Sequence, residues 1–281
     1  MLPRMSSARL ARVVWLGVRR ESTVPKFDPT NKFRITQPPC PTWDLGQGIP
    51  PDAPLTEEWN NVLKQGWKSR APNEVQGVYK LLTSAVIPRP IAFVSTISED
   101  GVRNLAPMRC VPWSQRMMIM MVSHNPPLLS VSLSLSKRRP KDTRENIKAT
   151  KQFTVSIISE PFVEAANVCS VEAPAHVDEW VVSGLTPEPS TTVRPPRVNE
   201  SAVGLECELY HFLDINAPDT DELTTTLVLG LIKQIHVRKG VLTEEGLVDP
   251  AKLRPVARLG GATFSRLSEG FDIARPSWRA L

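Results

Sequence analysis

Apolar and polar residues alternate with a period of two along much of this chain. The clearest run is Leu129 to Ser136, where Leu129, Val131, Leu133 and Leu135 fall on one side and Ser130, Ser132, Ser134 and Ser136 on the other. That pattern predicts a half-buried strand; its serine face suits either a ligand or solvent. Ile91–Ile97, Phe153–Ile157, Val203–Ile215 and Thr224–Val237 predict further strands. Asp100-Gly101 predicts a hairpin turn, because glycine supplies positive φ without steric cost. The period turns helical at Trp59, Val62, Leu63 and Trp67, after Thr56-Glu57-Glu58, and again at Val75, Val78, Tyr79 and Leu82. Pro140 to Thr150 reads as a helix, and Pro161 to Ser183 as one or two more, stopped at Gly184 and followed by a Pro-rich excursion from Pro187 to Pro196. Strands at short spacing, with helices inserted rather than strictly alternating, predict a mainly β protein with helical insertions (α+β), built as a barrel.

Composition refines this picture. The chain has 27 prolines and only 6% aromatic residues, which favours many connections and short strands over a helical bundle. Nine of the prolines lie between Glu21 and Asn73. This stretch reads as an arm, 23–73, whose one helix is expected to lay its Trp59–Trp67 stripe on the domain that follows. The net charge of +5 is matched by five arginines before Glu21 (Arg4, Arg9, Arg12, Arg19, Arg20) with no acid among them. The remainder is near neutral, so charge gives no argument for a nucleic acid partner. Residues 1–22 resemble a mitochondrial targeting segment, with a disordered basic tail on a cytoplasmic protein as the alternative. No apolar run approaches the ~20 residues of a membrane span. Cys40, Cys110, Cys169 and Cys207 are scattered, as are His124, His176, His211 and His236, with no pair at metal-ligand spacing. The cysteines read as reduced thiols and no metal is expected.

The candidate chemistry sits in two distant segments. Pro88-Arg89-Pro90 leads into a strand ending in Ser95 and Thr96, and the chain returns through Asn104-Leu105-Ala106-Pro107. Some thirty residues on, Arg138, Arg139, Lys141 and Thr143 gather at a helix start. Cations, hydroxyls and small residues of this kind suit a phosphate carrying a flat ring. Taken singly, Ser95 and Thr96 are ordinary β-formers, Lys141-Asp142-Thr143 is an ordinary helix cap, and Arg138-Arg139 is a solvated pair.

Seven motifs in order resemble the flavin reductase-like, FMN-binding split-barrel family. They are YKLL at Tyr79, PRPIAFVSTIS at Pro88, NLAP at Asn104, PKDTRENI at Pro140, SGLTPEPS at Ser183, RPPRV at Arg194 and LRPVARLGG at Leu253. The resemblance covers residues 74–276, leaving 277–281 as a tail. It implies a six-stranded antiparallel Greek-key split barrel, acting as a homodimer, with FMN as cofactor and NADH or NADPH as co-substrate. By position, Ser95, Thr96, Lys141 and Thr143 would hold phosphate and ribityl oxygens. Asn104, Leu105 and Ala106 would border the isoalloxazine, and Arg89 and Arg139 would contribute second. The implied function is an FMN-binding oxidoreductase moving hydride from NAD(P)H to flavin and on to a small-molecule acceptor or a partner oxygenase. The segment from Phe162 to Pro196 would cover the pocket and select the second substrate.

Two departures qualify this expectation. Between Pro107 and Val122 the chain runs about nine residues longer than the family pattern, and Met108 to Met121 lacks the expected serine and aromatic. Translated non-coding sequence, a real loop with Trp113 or Arg116 making new contacts, and loss of flavin all account for it. The alternative to the enzyme is a non-catalytic flavin-binding or dimerisation module, made inert by the segment Met108 to Met121. Phe264 stands where the family often has Tyr after the LGG, and no Gly-Asp-His nicotinamide signature is present. His124 and His176 are candidates only through their predicted loop positions.

Overall fold

The computed structural model describes residues 24–69, 71, 78–107, 119–135, 142–171 and 177–275. The segment 1–22, residues 74–77, Met108–Met118, Arg139, Lys141, His176 and the tail 277–281 lie outside them. Two compact units divide the chain, 1–32 and 33–281. In the first, the Thr30 N–H and hydroxyl donate to the Asp28 carboxylate in a small turn. Every described strand and helix belongs to the second.

In chain order the strands are β1 (Arg34–Thr36), β2 (Arg89–Pro90), β3 (Ala92–Ile97), β4 (Arg103–Pro107), β5 (Ile119–His124), β6 (Pro127–Ser134) and β7 (Gln152–Ile157). They continue as β8 (Pro187–Glu188), β9 (Arg197–Val198), β10 (Val203–Asn216), β11 (Leu223–Val237), β12 (Val256–Arg258), β13 (Phe264–Arg266) and β14 (Glu269–Phe271). The helices are α1 (Thr56–Lys64), α2 (Val78–Ala85), α3 (Asp142–Thr150), α4 (Val163–Val168), α5 (Glu179–Ser183) and α6 (Pro250–Leu253).

The main sheet is antiparallel, in the order β4-β3-β7-β10-β11-β6-β5. It has the predicted mainly β character with inserted helices, and counts seven hydrogen-bonded strands where the resemblance implied six. Its edges, β4 and β5, share no ladder among the described residues. Curling brings the inner faces together: Ala92 and Val94 of β3, Ile119 of β5, Val131 of β6, Val155 of β7 and Val228 of β11 bury in one cluster with Ile147 of α3. Alternation sends the other side of β3 outward. There Phe93 joins Leu105 of β4 with Phe162, Ala166 and Trp180 in a second cluster beneath α4 and α5. Burial on both faces explains why Ile91 to Val94 reads as an unbroken apolar run.

The arm departs from expectation. Trp59, Val62 and Leu63 remain about half exposed and Trp67 is 96% exposed, so the α1 stripe does not pack on the domain. The arm is held instead by backbone pairing, β1 running parallel to β14 with Arg34 bonded to Glu269.

The Pro-rich excursion is anchored by Glu206 of β10, whose side chain is fully buried. Its Oε1 accepts from the Thr191 N–H at 2.8 Å and hydroxyl at 3.1 Å, and its Oε2 from the Thr192 N–H and hydroxyl, both at 2.6 Å. His236 Nε2 lies 2.6 Å from Oε1. Burial alone would raise this pKa, but the donors from Thr192, Thr191 and His236 outweigh it and hold the carboxyl at about 2.

In the unfolded chain Glu206 regains the usual glutamate range, so acid protonates that state first. The stabilisation is complete above about pH 5 and drains away toward pH 2. Urea unfolding of wild type and Glu206→Gln at pH 7 and pH 3 should show wild type losing about 2 kcal/mol more than the variant over this interval. A difference that does not change with pH would show that the ionised carboxylate is not what holds the excursion.

Candidate functional site

Hydrogen-bond register sets Thr96 of β3 opposite Asn104 of β4, on the inward face of the hairpin. The first turns of α3 pack against this pair. Asn104 Nδ2 donates to Thr143 Oγ1 at 2.9 Å and to Thr96 Oγ1 at 3.3 Å, and Asn146 Nδ2 donates to Thr96 Oγ1 at 3.0 Å. The strand hydroxyl and the helix-start hydroxyl, predicted from separate segments, therefore meet on one amide. All four side chains are buried. Both hydroxyls accept here, and neither proton has an acceptor among the described residues. Two O–H donors thus stand uncommitted beside the N-terminus of α3, where backbone N–H groups and the helix dipole favour an anion.

Arg144, inside the same turn, is spent elsewhere. It donates to Thr226 at 2.7 Å and to both Asp214 oxygens at 3.0 and 3.1 Å, and pairs with Glu145. The basic residues that could face an anion here are Arg139 and Lys141, which precede the described part of the helix.

Other predicted residues go elsewhere. Ser95 points to the opposite face from Thr96; it is 1% exposed and its hydroxyl has no hydrogen-bond partner among the described residues. Leu105, its register partner, lies in the same outer layer, while Ala106 packs against the inner core. Arg89 is buried and donates to the Thr83 carbonyl at 3.2 Å and the Leu259 carbonyl at 2.7 Å, tying α2 to the loop after β12. Neither partner belongs to the β3–β4–α3 junction. His124 is exposed at the end of β5.

Two residues escaped the sequence reading. Asn146 is three positions from Thr143, a spacing that shares a helix face, and that spacing was the available signal. Glu179 at the start of α5 accepts from the Leu105 N–H at 3.4 Å, meeting an outward-facing donor on the edge strand β4. Its pKa is raised, first by burial and further by the Asp142 and Asp178 carboxylates, against the pull of its backbone hydrogen bonds. Asp178 caps α5 through the Trp180 N–H at 2.9 Å and pairs with Arg103 at 3.3 Å. Nothing in the local pattern marks Glu179, because its partner lies 74 residues away. No group of three or more His, Cys, Asp or Glu among the described residues could hold a metal ion.

Comparison with known proteins agrees with this architecture. The profile described as "Flavin reductase like domain" matches residues 84–256. A protein of Aquifex aeolicus is 36% identical over 188 residues, covering 66% of this chain and 88% of its own length. YwrF of Bacillus subtilis is 34% identical over 202 residues, 71% of this chain and 93% of its own. The crystal structure of nitrilotriacetate monooxygenase component B from Bacillus cereus superposes with a TM-score of 0.67 at 32% identity, covering 74% of this chain and 99% of that one. These bacteria have no mitochondria, which overturns the mitochondrial expectation for residues 1–22. With the profile spanning more than half of the chain, and the same split-barrel fold in its relatives, the protein belongs to the flavin reductase like domain family.

Proposed function

We propose that this protein is an FMN-binding oxidoreductase of the flavin reductase type, which takes hydride from NADH or NADPH. The observation that carries the reading is the β3–β4–α3 junction, where Thr96 and Thr143 keep hydroxyl protons free beside a helix N-terminus. That donor set fits a phosphate ester. Lys141 and Arg139 would supply the countercharge, and charge-assisted hydrogen bonds would fix its orientation. Asn104, Leu105 and Ala106 would border the flat heterocycle along the edge strand β4, with the Leu105 N–H already taken by Glu179. When bound, the flavin supplies the hydride-accepting chemistry itself. This chain's residues then need only bind, orient and shield it.

The arrangement as a homodimer rests on the family resemblance. The neighbour named as a monooxygenase component B supports a small electron acceptor or a partner oxygenase as the destination of the electrons. Ser95, Arg89 and Ala106 take supporting positions in this reading: Ser95 in the outer layer, Arg89 across the α2 loop and Ala106 on the inner core.

Protein saturated with FMN and then desalted should stay yellow, and it should consume NADH or NADPH only when FMN is present. A yellow protein without nicotinamide oxidation would favour a non-catalytic flavin-binding module, and a colourless protein that takes up no FMN would defeat both readings.

Fluorescence titration with FMN gives a residue-level test. Lys141→Ala combined with Thr143→Ala should weaken the affinity ~10- to 100-fold, the value of one or two charge-assisted hydrogen bonds. Thr143→Ser, which keeps the hydroxyl, should stay within about threefold of wild type. Equal dissociation constants for all three proteins would remove Lys141 and Thr143 from the site.

A further inference from the structure

A second polar site lies on the outer side of β10 and β11, two strands across the sheet from β3. A pocket of about 340 Å³ opens there between the β8–β9 hairpin and the two long strands, with Glu188, Arg197, His236 and Arg238 among its walls.

Each charged group in it has a defined duty. Arg197 lies flat along β10 because position 204 is glycine; a Cβ there would come within 3.3 Å of Arg197 Cδ. The Arg197 side chain is only 12% exposed. Its Nη2 donates to the Pro189 carbonyl at 3.1 Å, whereas Nη1 stands 3.6 Å from Glu188 and Nε 3.6 Å from Glu206. A guanidinium carries five N–H donors. Among the described residues only the Nη2 bond to Pro189 meets hydrogen-bond geometry, and Nε is buried without a partner. Arg238 reaches the same region, bonded to Asn199 at 2.6 and 2.7 Å and to Glu188 at 3.3 Å.

His236 completes the wall. An ionised carboxylate can only accept, so Glu206 requires the proton on Nε2 of the ring. Nδ1 is then a lone pair in neutral histidine and a donor in imidazolium, and it has no partner among the described residues. The formal charges of Arg197 and Arg238 balance those of Glu188 and of Glu206 behind the wall, and among the described residues no further Asp, Glu, Lys or Arg lines the pocket. Glu188, one-third exposed and paired at long distances, is free to turn outward.

We propose that this pocket is a second ligand site that binds a small organic oxyanion, a carboxylate or a phosphate monoester, through Arg197, Arg238 and His236. It stands independently of the flavin reading.

Isothermal titration with inorganic phosphate and with succinate tests it. Wild type should bind at least one probe. The probe preferred tells phosphate chemistry from carboxylate chemistry. Arg197→Met and His236→Gln should each weaken binding about tenfold or more. Arg238→Ala, at a half-exposed position that leaves the buried network intact, should weaken it about three- to tenfold even where the other variants fold poorly. No heat from either probe with wild type, or unchanged affinity in Arg238→Ala, would overturn the site. Unchanged affinity in His236→Gln would overturn the role of His236. FMN affinity, measured alongside, should not change in Arg238→Ala.

Discussion

The side-chain amide of Asn104 is the interaction on which the candidate site depends. It donates to a hydroxyl on the neighbouring strand and to one at the start of α3, so one planar group fixes the helix against the β3–β4 hairpin. Asn146 supplies a second donor to Thr96. Because both donors are amide N–H groups, Thr96 and Thr143 must act as acceptors, and their own protons are directed elsewhere. A buried hydroxyl left without an acceptor costs stability. The fold accepts that cost at two adjacent residues, which is understandable if an anion is meant to meet them. One helical turn further on, Ile147 is buried in the inner core, so the same helix that presents Thr143 also seals the barrel.

How much of this was legible in the sequence depends on the range of each interaction. The strand β6 could be read directly, since Leu129, Val131 and Leu133 are buried while Ser130, Ser132 and Ser134 are partly open. The helix α3 and the stop at Gly184 were equally visible, the glycine taking the positive φ of 69° that ends α5. The pairing of Thr96 with Thr143 followed from motif order, although the bridging role of Asn104 and Asn146 did not. Ser95 shows the limit of such reading. Adjacent residues on a strand face opposite ways, so Ser95 and Thr96 cannot both point into one pocket when both sides of β3 are buried. The unbroken apolar run before them held that warning.

Contacts between distant segments were not legible. Glu206 has no local sign of its importance, since its donors lie fourteen and fifteen residues earlier and its histidine thirty later. The α1 stripe is a converse case. Its spacing marks a face, and spacing carries no information about what covers that face. Among the described residues the arm is secured by the β1–β14 ladder, whose backbone hydrogen bonds leave no hydrophobic signature.

The Pro-rich excursion changes character once Glu206 is placed. A segment with this many prolines suggests a lid free to swing, yet Thr191 and Thr192 each commit an N–H and a hydroxyl to a fully buried carboxylate. Thr154 adds a bond from its hydroxyl to the Pro196 carbonyl at 3.0 Å, and Ser190 closes the loop on Pro195. Opening it would strip a buried carboxylate of four neutral donors and break those bonds together, leaving a charge unsatisfied. Any selection of substrate by this segment must therefore work through a fixed shape. The same rigidity holds Arg197, which comes directly after Pro196, in one position against Gly204.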